Sequence, residues 1–457
     1  MTFTFISRCN GSKRLLLLFA GWSAEPEWFD SIRPDGFDLL VVTDYRTADT
    51  AALSGGEIDG YEEIVIVSWS FGVPAATRFM RDNPGLPFTL RLAVNGTPWP
   101  VDDTLGIPVS IFQGTLDNLS EKTLEKFDRR MCESRITLPR KRDIRELAEE
   151  LKAIRHDYSG CITEADASLW DIAVIGDSDR IIPPDNQRRA WEGHARTEEI
   201  KAPHFPDFKA LLRDYVVNKE LVANRFGNAK ESYNDNATVQ GQIARHLARM
   251  LYTPNDSGHI PAGGKWLEIG AGTGLLTRLY CDKLGDGADL TLCDLSYISP
   301  DLPGEKIICD AESYIRSLPD NCLDVILGAS VIQWFHSPLR FIAQCRRVLR
   351  PGGTLLLSTF APDNFPELRS FIYSPLKGPS TAEWGEAIGK LFSDNTVEED
   401  SITLTFTSPR QLLDHMRRTG VNGLNGDAVS SQRAVRTIIR SDMTTLTYRP
   451  IYVRATK

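Results

Sequence analysis

In Ile64-Val-Ile-Val-Ser68-Trp-Ser70-Phe71-Gly72 an apolar run ends at a serine with only small residues two positions before and two after it, and a helix-forming segment follows. A hydroxyl set in so sharp a turn projects above a sheet as a nucleophile for acyl transfer. Ser68 stands where glycine is commoner, but is small enough for the turn. Such a serine reacts only when an imidazole takes its proton and a carboxylate stabilises the imidazolium. The order Ser, Asp, His is met downstream by Gly176-Asp-Ser-Asp179, after another apolar run, and by His204 in Lys201-Ala-Pro-His204-Phe. Spacing favours Asp179 as the acid, with Asp177 second and Asp117 weaker because it precedes a charged insertion; His194 reads as a surface residue. The oxyanion donors are expected to be two backbone N–H groups. One is Phe71, next to the nucleophile, and the other is Trp22, after the first core strand in Phe19-Ala-Gly-Trp22.

The second half holds Lys265-Trp-Leu-Glu268-Ile-Gly270-Ala-Gly272-Thr-Gly274, a glycine turn between a strand and a helix. Such turns also grip dinucleotide phosphates, so the glycines alone decide little. Their alternate spacing, with an acid two before the first, resembles motif I of class I methyltransferases, which implies S-adenosylmethionine as cofactor. Asp294, about twenty residues past the last glycine, stands where an acid accepts hydrogen bonds from ribose hydroxyls. Asp310, after the next strand, suits an adenine amino group.

These residues must be positioned by strands, and the chain supplies them in two series. Leu15 to Phe19, Asp38 to Val42, Glu63 to Val67, Leu90 to Val94 and Ile172 to Ile175 alternate with helical stretches, as a mostly parallel α/β sheet requires. A charged segment from about 118 to 160, with Leu124, Phe127, Met131 and Ile144, Leu147, Leu151 at helical spacing, interrupts the series as a cap. A second series starts at Lys265 and continues near Leu290, Ile307, Val325 and Leu355, with Thr445 to Arg454 expected as one closing strand. Two domains follow, 1–215 and 219–457. At 457 residues, 42% hydrophobic and 25% charged, the chain has material for both cores. A net charge of −9 argues against nonspecific nucleic-acid binding. Neither a membrane span nor a signal peptide is legible, so a cytoplasmic protein is expected. The eight cysteines contain no C-x-x-C pair and read as reduced core thiols, with no metal site.

The whole resembles two families in tandem. Phe19-Ala-Gly-Trp22, Ser68-Trp-Ser70-Phe-Gly72, Asn95-Gly-Thr-Pro-Trp99-Pro and Lys126-Phe-Asp-Arg-Arg-Met-Cys132 resemble a BioG-type esterase acting on pimeloyl-acyl carrier protein methyl ester, which implies an α/β-hydrolase fold. Val222-Ala-Asn-Arg-Phe226-Gly with Tyr233, and Ser330-Val-Ile-Gln333-Trp334, resemble malonyl-acyl carrier protein O-methyltransferases of the BioC type, with a Rossmann-like class I fold. That resemblance implies that Tyr233 helps close the site, with Gln333 and Trp334 at the substrate side. Arg369 is a candidate anchor for the acceptor carboxylate. The pair implies an early step toward the pimeloyl part of biotin: a carboxylate is masked as its methyl ester, the chain is elongated, and the ester is cleaved. The partner so implied, acyl carrier protein, is acidic, and Arg129, Arg130, Arg135, Arg140, Lys141, Arg142 and Arg145 crowd the cap as its expected docking surface. Rival readings are a serine thioesterase or lipase-like hydrolase fused to another small-acid methyltransferase, or a carrier-binding scaffold with one inactive half.

Overall fold

Runs such as Leu15 to Phe19 are apolar at every position, as strands covered by helices on both faces must be. The computed structural model describes residues 1–9, 11–32, 34–47, 53–133, 138–158, 160, 162–252, 263–285, 287–369, 371, 377–419 and 428–457. They form two units, Met1–Val216 and Val217–Lys457.

The first unit holds strands β1 (Thr2–Ser7), β2 (Arg14–Phe19), β3 (Asp38–Thr43), β4 (Glu63–Trp69), β5 (Phe88–Val94), β6 (Ile172–Gly176) and β7 (Arg196–Ile200). They form one sheet in the order β1-β3-β2-β4-β5-β6-β7, parallel throughout except for β1. Every residue of β3, β4 and β6 is buried, and the helix Gly72–Asp82 leaves the end of β4. Between β5 and β6 run the helices Val109–Asp117, Glu121–Cys132 and Ile144–Tyr158. The last buries Leu147, Leu151, Ile154 and Tyr158.

Polar contacts fix this insertion to the loops that follow β2 and β3. Glu150, fully buried, accepts hydrogen bonds from the backbone of Ser23 at 3.2 Å and Tyr45 at 3.0 Å, and from Arg142 at 2.8 Å. Arg142 also bonds Glu25 at 3.2 Å, and Arg140 makes a two-pronged pair with Asp128 at 2.6 and 2.9 Å. Their side chains are 10% and 7% exposed. Arg140 and Arg142 therefore contradict the expected docking surface: they are interior ion-pair partners. Lys141 is exposed and pairs with Glu27, Arg129 pairs with Glu125, and Arg135 lies outside the described residues.

The second unit carries β8 (Gly264–Ile269), β9 (Ala288–Asp294), β10 (Glu305–Ile308), β11 (Leu323–Gly328), β12 (Leu349–Phe360), β13 (Asp394–Glu399), β14 (Ile402–Thr405), β15 (Thr445–Tyr448) and β16 (Pro450–Thr456). Seven make a sheet in the order β10-β9-β8-β11-β12-β16-β13, with β8 to β12 parallel and β16 antiparallel to both neighbours. This is the Rossmann-like class I methyltransferase fold. The expected closing strand is in fact two: β15 pairs with β14 in a separate ladder, and the chain enters the main sheet only at Pro450. Among the described residues no helix is long and apolar enough to cross a membrane.

Glu150→Ala removes the carboxylate that joins Arg142 to two backbone N–H groups in the interior. We expect a loss of about 3–5 kcal/mol, the cost of breaking a buried pair, in urea unfolding of the first unit. A change below about 1 kcal/mol would show that the cap is held by its apolar face alone.

Candidate active sites

At the end of β4 the backbone turns through Ser70 with φ of +57°. The turn leaves no room beside it. A Cβ on Gly72 would lie 2.3 Å from the Phe19 carbonyl oxygen, and one on Gly96 would lie 2.6 Å from that of Ser70. Small residues are thus required where the strand-end loops meet. Ser70 Oγ lies 2.9 Å from His204 Nε2, and His204 Nδ1 lies 2.8 Å from Asp179 Oδ2. All three are buried. Asp179 also accepts from the backbone of Ile181 at 2.8 Å and Ile182 at 3.0 Å, and from Gln187 Nε2 at 2.8 Å. Acceptance from this many donors fixes the orientation of the carboxylate toward His204.

The other candidates lie elsewhere. Asp177 is exposed and accepts from Ser178, Asp117 accepts from Gln113, and His194 bonds Ser168. Among the described residues neither Trp22 N–H nor Phe71 N–H donates a hydrogen bond. The Trp22 indole donates instead to Leu147 O, at 3.0 Å. A small cavity lined by Trp22, Phe71, Phe127, Arg130, Arg180 and Ile181 lies beside these groups. It shares Trp22, Ile111, Thr115, Phe127 and Arg130 with a larger groove along the helices Val109–Asp117 and Glu121–Cys132. Two supports carry no signature of their role in sequence. The Trp69 indole donates to His204 O at 2.7 Å, and Asn95 Nδ2 donates to the same oxygen at 2.9 Å while its Oδ1 accepts from Gly176 N at 2.6 Å.

In the second unit the glycine turn follows β8 with φ of +66°, +50° and +86° at Gly270, Gly272 and Gly274. A Cβ on Gly270 would come within 2.7 Å of Val331, and one on Gly274 within 2.5 Å of Leu302. Gly272 N donates to Asp294 Oδ2 at 3.1 Å, and Ser296 N and Tyr297 N reach Oδ1 at 2.9 and 3.2 Å. Burial raises the Asp294 carboxyl above its ordinary range, against these hydrogen bonds. The turn opens on a cavity lined by Glu268, Gly270, Gly272, Asp294, Asp310 and Trp334, and covered by one face of the helix Lys219–Ala229.

Tyr233 lines the cavity too, its ring 6.1 Å from Phe226, which lies 5.9 Å from Trp334. Gln333 does not reach the lining; its amide turns back on Ser330 O at 2.5 Å. Arg369 is exposed and also outside the lining. Glu268 accepts from Thr277 at 2.8 Å and Tyr280 at 2.6 Å, and burial pushes its carboxyl up to about 7. Gln240, which the sequence did not single out, lines the cavity with a buried Oε1 that has no partner among the described residues, as do Ser330 Oγ and Trp334 Nε1. Buried polar atoms are rarely left unpaired, so these are groups that a polar ligand would satisfy.

Residues 1–211 match the family model of pimeloyl-ACP methyl esterase BioG, and residues 267–357 match that of a methyltransferase domain. A malonyl-[acyl-carrier protein] O-methyltransferase of Bacteroides fragilis is 33% identical over 97% of this chain and 93% of its own length. The chain belongs to this family. The namesake of Porphyromonas gingivalis is 35% identical over 46% of this chain and 82% of its own. Among solved structures, BioG of Haemophilus influenzae is 31% identical over 45% of this chain and 94% of its own, with a TM-score of 0.39.

The Glu268 proton yields a test of the second site's electrostatics. Its folded pKa of about 7 lies above the ordinary 4.5. The group's contribution to stability is then full below about pH 4.5 and is lost as pH rises through about 7. Glu268→Gln should flatten the pH dependence of the second unit's denaturation midpoint across that window. An unchanged slope would mean that Glu268 is ionised in the folded protein at ordinary acidity.

Proposed function

We propose that this chain both installs and removes a methyl ester on carrier-bound acids: the second unit methylates the free carboxylate of malonyl-acyl carrier protein, and the first, a serine esterase of α/β-hydrolase type, hydrolyses pimeloyl-acyl carrier protein methyl ester. The observation that carries the esterase half is the Ser70–His204–Asp179 array, with separations of 2.9 and 2.8 Å, in a unit that matches the BioG model.

In the esterase, His204 removes the Ser70 proton as Oγ attacks the ester carbonyl. Asp179 stabilises the imidazolium, and the N–H groups of Phe71 and Trp22 hold the oxyanion. His204 then protonates departing methanol, and water releases the acyl group by the same route. Exposed cationic ground for an acidic carrier includes the groove beside Trp22, with Lys126, Arg129 and Arg130 on its wall, and Arg145 is exposed as well.

The second cavity fits S-adenosylmethionine. Its glycine turn lets a backbone approach closely, Asp294 can accept from ribose hydroxyls, Asp310 can accept from the adenine amino group, and Gln240 Oε1 and Ser330 Oγ offer polar atoms that are unpaired among the described residues. The cofactor, when bound, supplies an electrophilic methyl group. The acceptor carboxylate is already a nucleophile, so the chain's residues need only position it and exclude water, a task for Tyr233, Phe226 and Trp334.

The two reactions serve one end. An ionised carboxylate is costly to bury in an apolar pocket, and its methyl ester passes through chain elongation as an ordinary acyl end. Hydrolysis afterwards restores the acid of the pimeloyl precursor of biotin. The full chain should label at Ser70 with a fluorophosphonate and transfer methyl groups to malonyl carrier protein. Ser70→Ala should lower hydrolysis of the pimeloyl ester by about 10⁴-fold or more with methyl transfer intact, and Asp294→Ala should do the reverse. Esterase turnover that survives in Ser70→Ala would refute the serine mechanism.

A further inference from the structure

The helix that covers the second cavity begins with a lysine that has no place in the chemistry above. Lys219 is capped into the helix by Asn218, whose Oδ1 accepts from Leu221 N at 2.9 Å, and its side chain is only 4% exposed. Its Nζ lies 2.8 Å from Asp310 Oδ2 and 2.7 Å from Glu312 Oε2. A buried ammonium persists where carboxylates surround it, and the same ammonium fixes the orientation of those carboxylates.

Each of the two acids leads to a different part of the cavity. Asp310 lines the cavity itself and caps the helix Ala311–Ser317 through Glu312 N at 3.2 Å. Glu312 is buried, and its two oxygens accept from His336 N and Ser337 N, both at 3.0 Å. Those two residues close the turn after β11 that carries Trp334. Along the covering helix, Lys219, Val222, Ala223 and Phe226 line the cavity at helical spacing, and Phe226 brings its ring to Trp334 and Tyr233. One ammonium thus joins the cover, the acid after β10 and the turn that holds the acceptor-side aromatics.

We propose that Lys219 is a positioning residue for the methyl donor: it holds the Asp310 carboxylate aimed at the donor's adenine amino group, and in doing so it latches the covering helix over the cavity. The proposal rests on the reading of Asp310 as the adenine acceptor. Its consequence is that donor recognition and closure share one ion pair, so loss of the lysine weakens donor binding specifically where the amino group is present.

The test compares S-adenosylhomocysteine with S-inosylhomocysteine, which bears an oxo group in place of the amino group, by calorimetry on the full chain. The parent should bind the adenosyl compound more tightly. Lys219→Met should weaken it tenfold or more, weaken the inosyl compound far less, and raise the donor KM by a larger factor than it lowers kcat. Lys219→Arg should restore part of the preference. If Lys219→Met does not fold, Lys219→Gln, which keeps a hydrogen bond without the charge, is read in the same way. A parent that binds both compounds equally overturns the Asp310 reading and this proposal with it. A discriminating parent whose lysine variant loses both compounds by the same factor overturns the role of Lys219 alone.

Discussion

Ser70 sits in a left-handed conformation, φ +57°, which costs a residue bearing a Cβ about 1–3 kcal/mol and persists only where its surroundings over-determine it. Here they do. Gly21 packs against the Trp69 ring, Gly72 against the end of β2 and Gly96 against the Ser70 backbone, so loops after β2, β4 and β5 converge on one hydroxyl. Trp69 and Asn95 then hold the His204 backbone from two sides. The sheet below is buried throughout β3, β4 and β6 and gives these loops a rigid base. The cap is bolted to the loops after β2 and β3 through Glu150 and Arg142, and the first of these carries Trp22, so the stability of the insertion and the geometry beside Trp22 are one problem.

The second unit meets a related constraint with different means. Its turn after β8 uses glycines for the close approach, and Gly272 N and the backbone of Ser296 and Tyr297 are aimed at one carboxylate, Asp294. Glu268, Asp294 and Asp310 stand around one cavity, and burial raises the first two toward neutrality. Lys219 is set among them, between Asp310 and Glu312, and Lys230 lines the same cavity. A cavity whose acids are offset by burial and by lysines in its lining is compatible with a cationic donor and an anionic acceptor together, which is the electrostatic demand of carboxyl methylation.

The strands that read clearly in sequence are those whose burial forces a continuous apolar run: β2, β4 and β6. Edge strands read less evenly: β10 is expected near Ile307, whereas β1 and β13 are not. β13 is Asp-Asn-Thr-Val-Glu-Glu, polar on both faces, and only its pairing with β16 makes it a strand. Ser70, His204 and the glycine turn were legible because local turn chemistry demands those residues. Asp179 and Asp177 stood two residues apart, and what separates them is a loop that brings one to His204 and leaves the other exposed. Arg140 and Arg142 were misread as surface because charge in a sequence carries no sign of burial; their carboxylate partners at Asp128, Glu25 and Glu150 lie on other elements. Lys219 was silent for the same reason, its partner Asp310 being 91 residues away.

The proposed pairing of methyl transfer and ester hydrolysis in one chain is productive only if the first unit spares the ester that the second makes. The direct measurement is the kcat/KM of the full chain for methanol release from pimeloyl carrier methyl ester and from malonyl carrier methyl ester. The longer acyl chain adds several methylenes, each able to contribute about tenfold or more in a fitted apolar pocket. The account predicts a preference of about 100-fold or more for the pimeloyl ester, whereas equal rates on the two esters would contradict it.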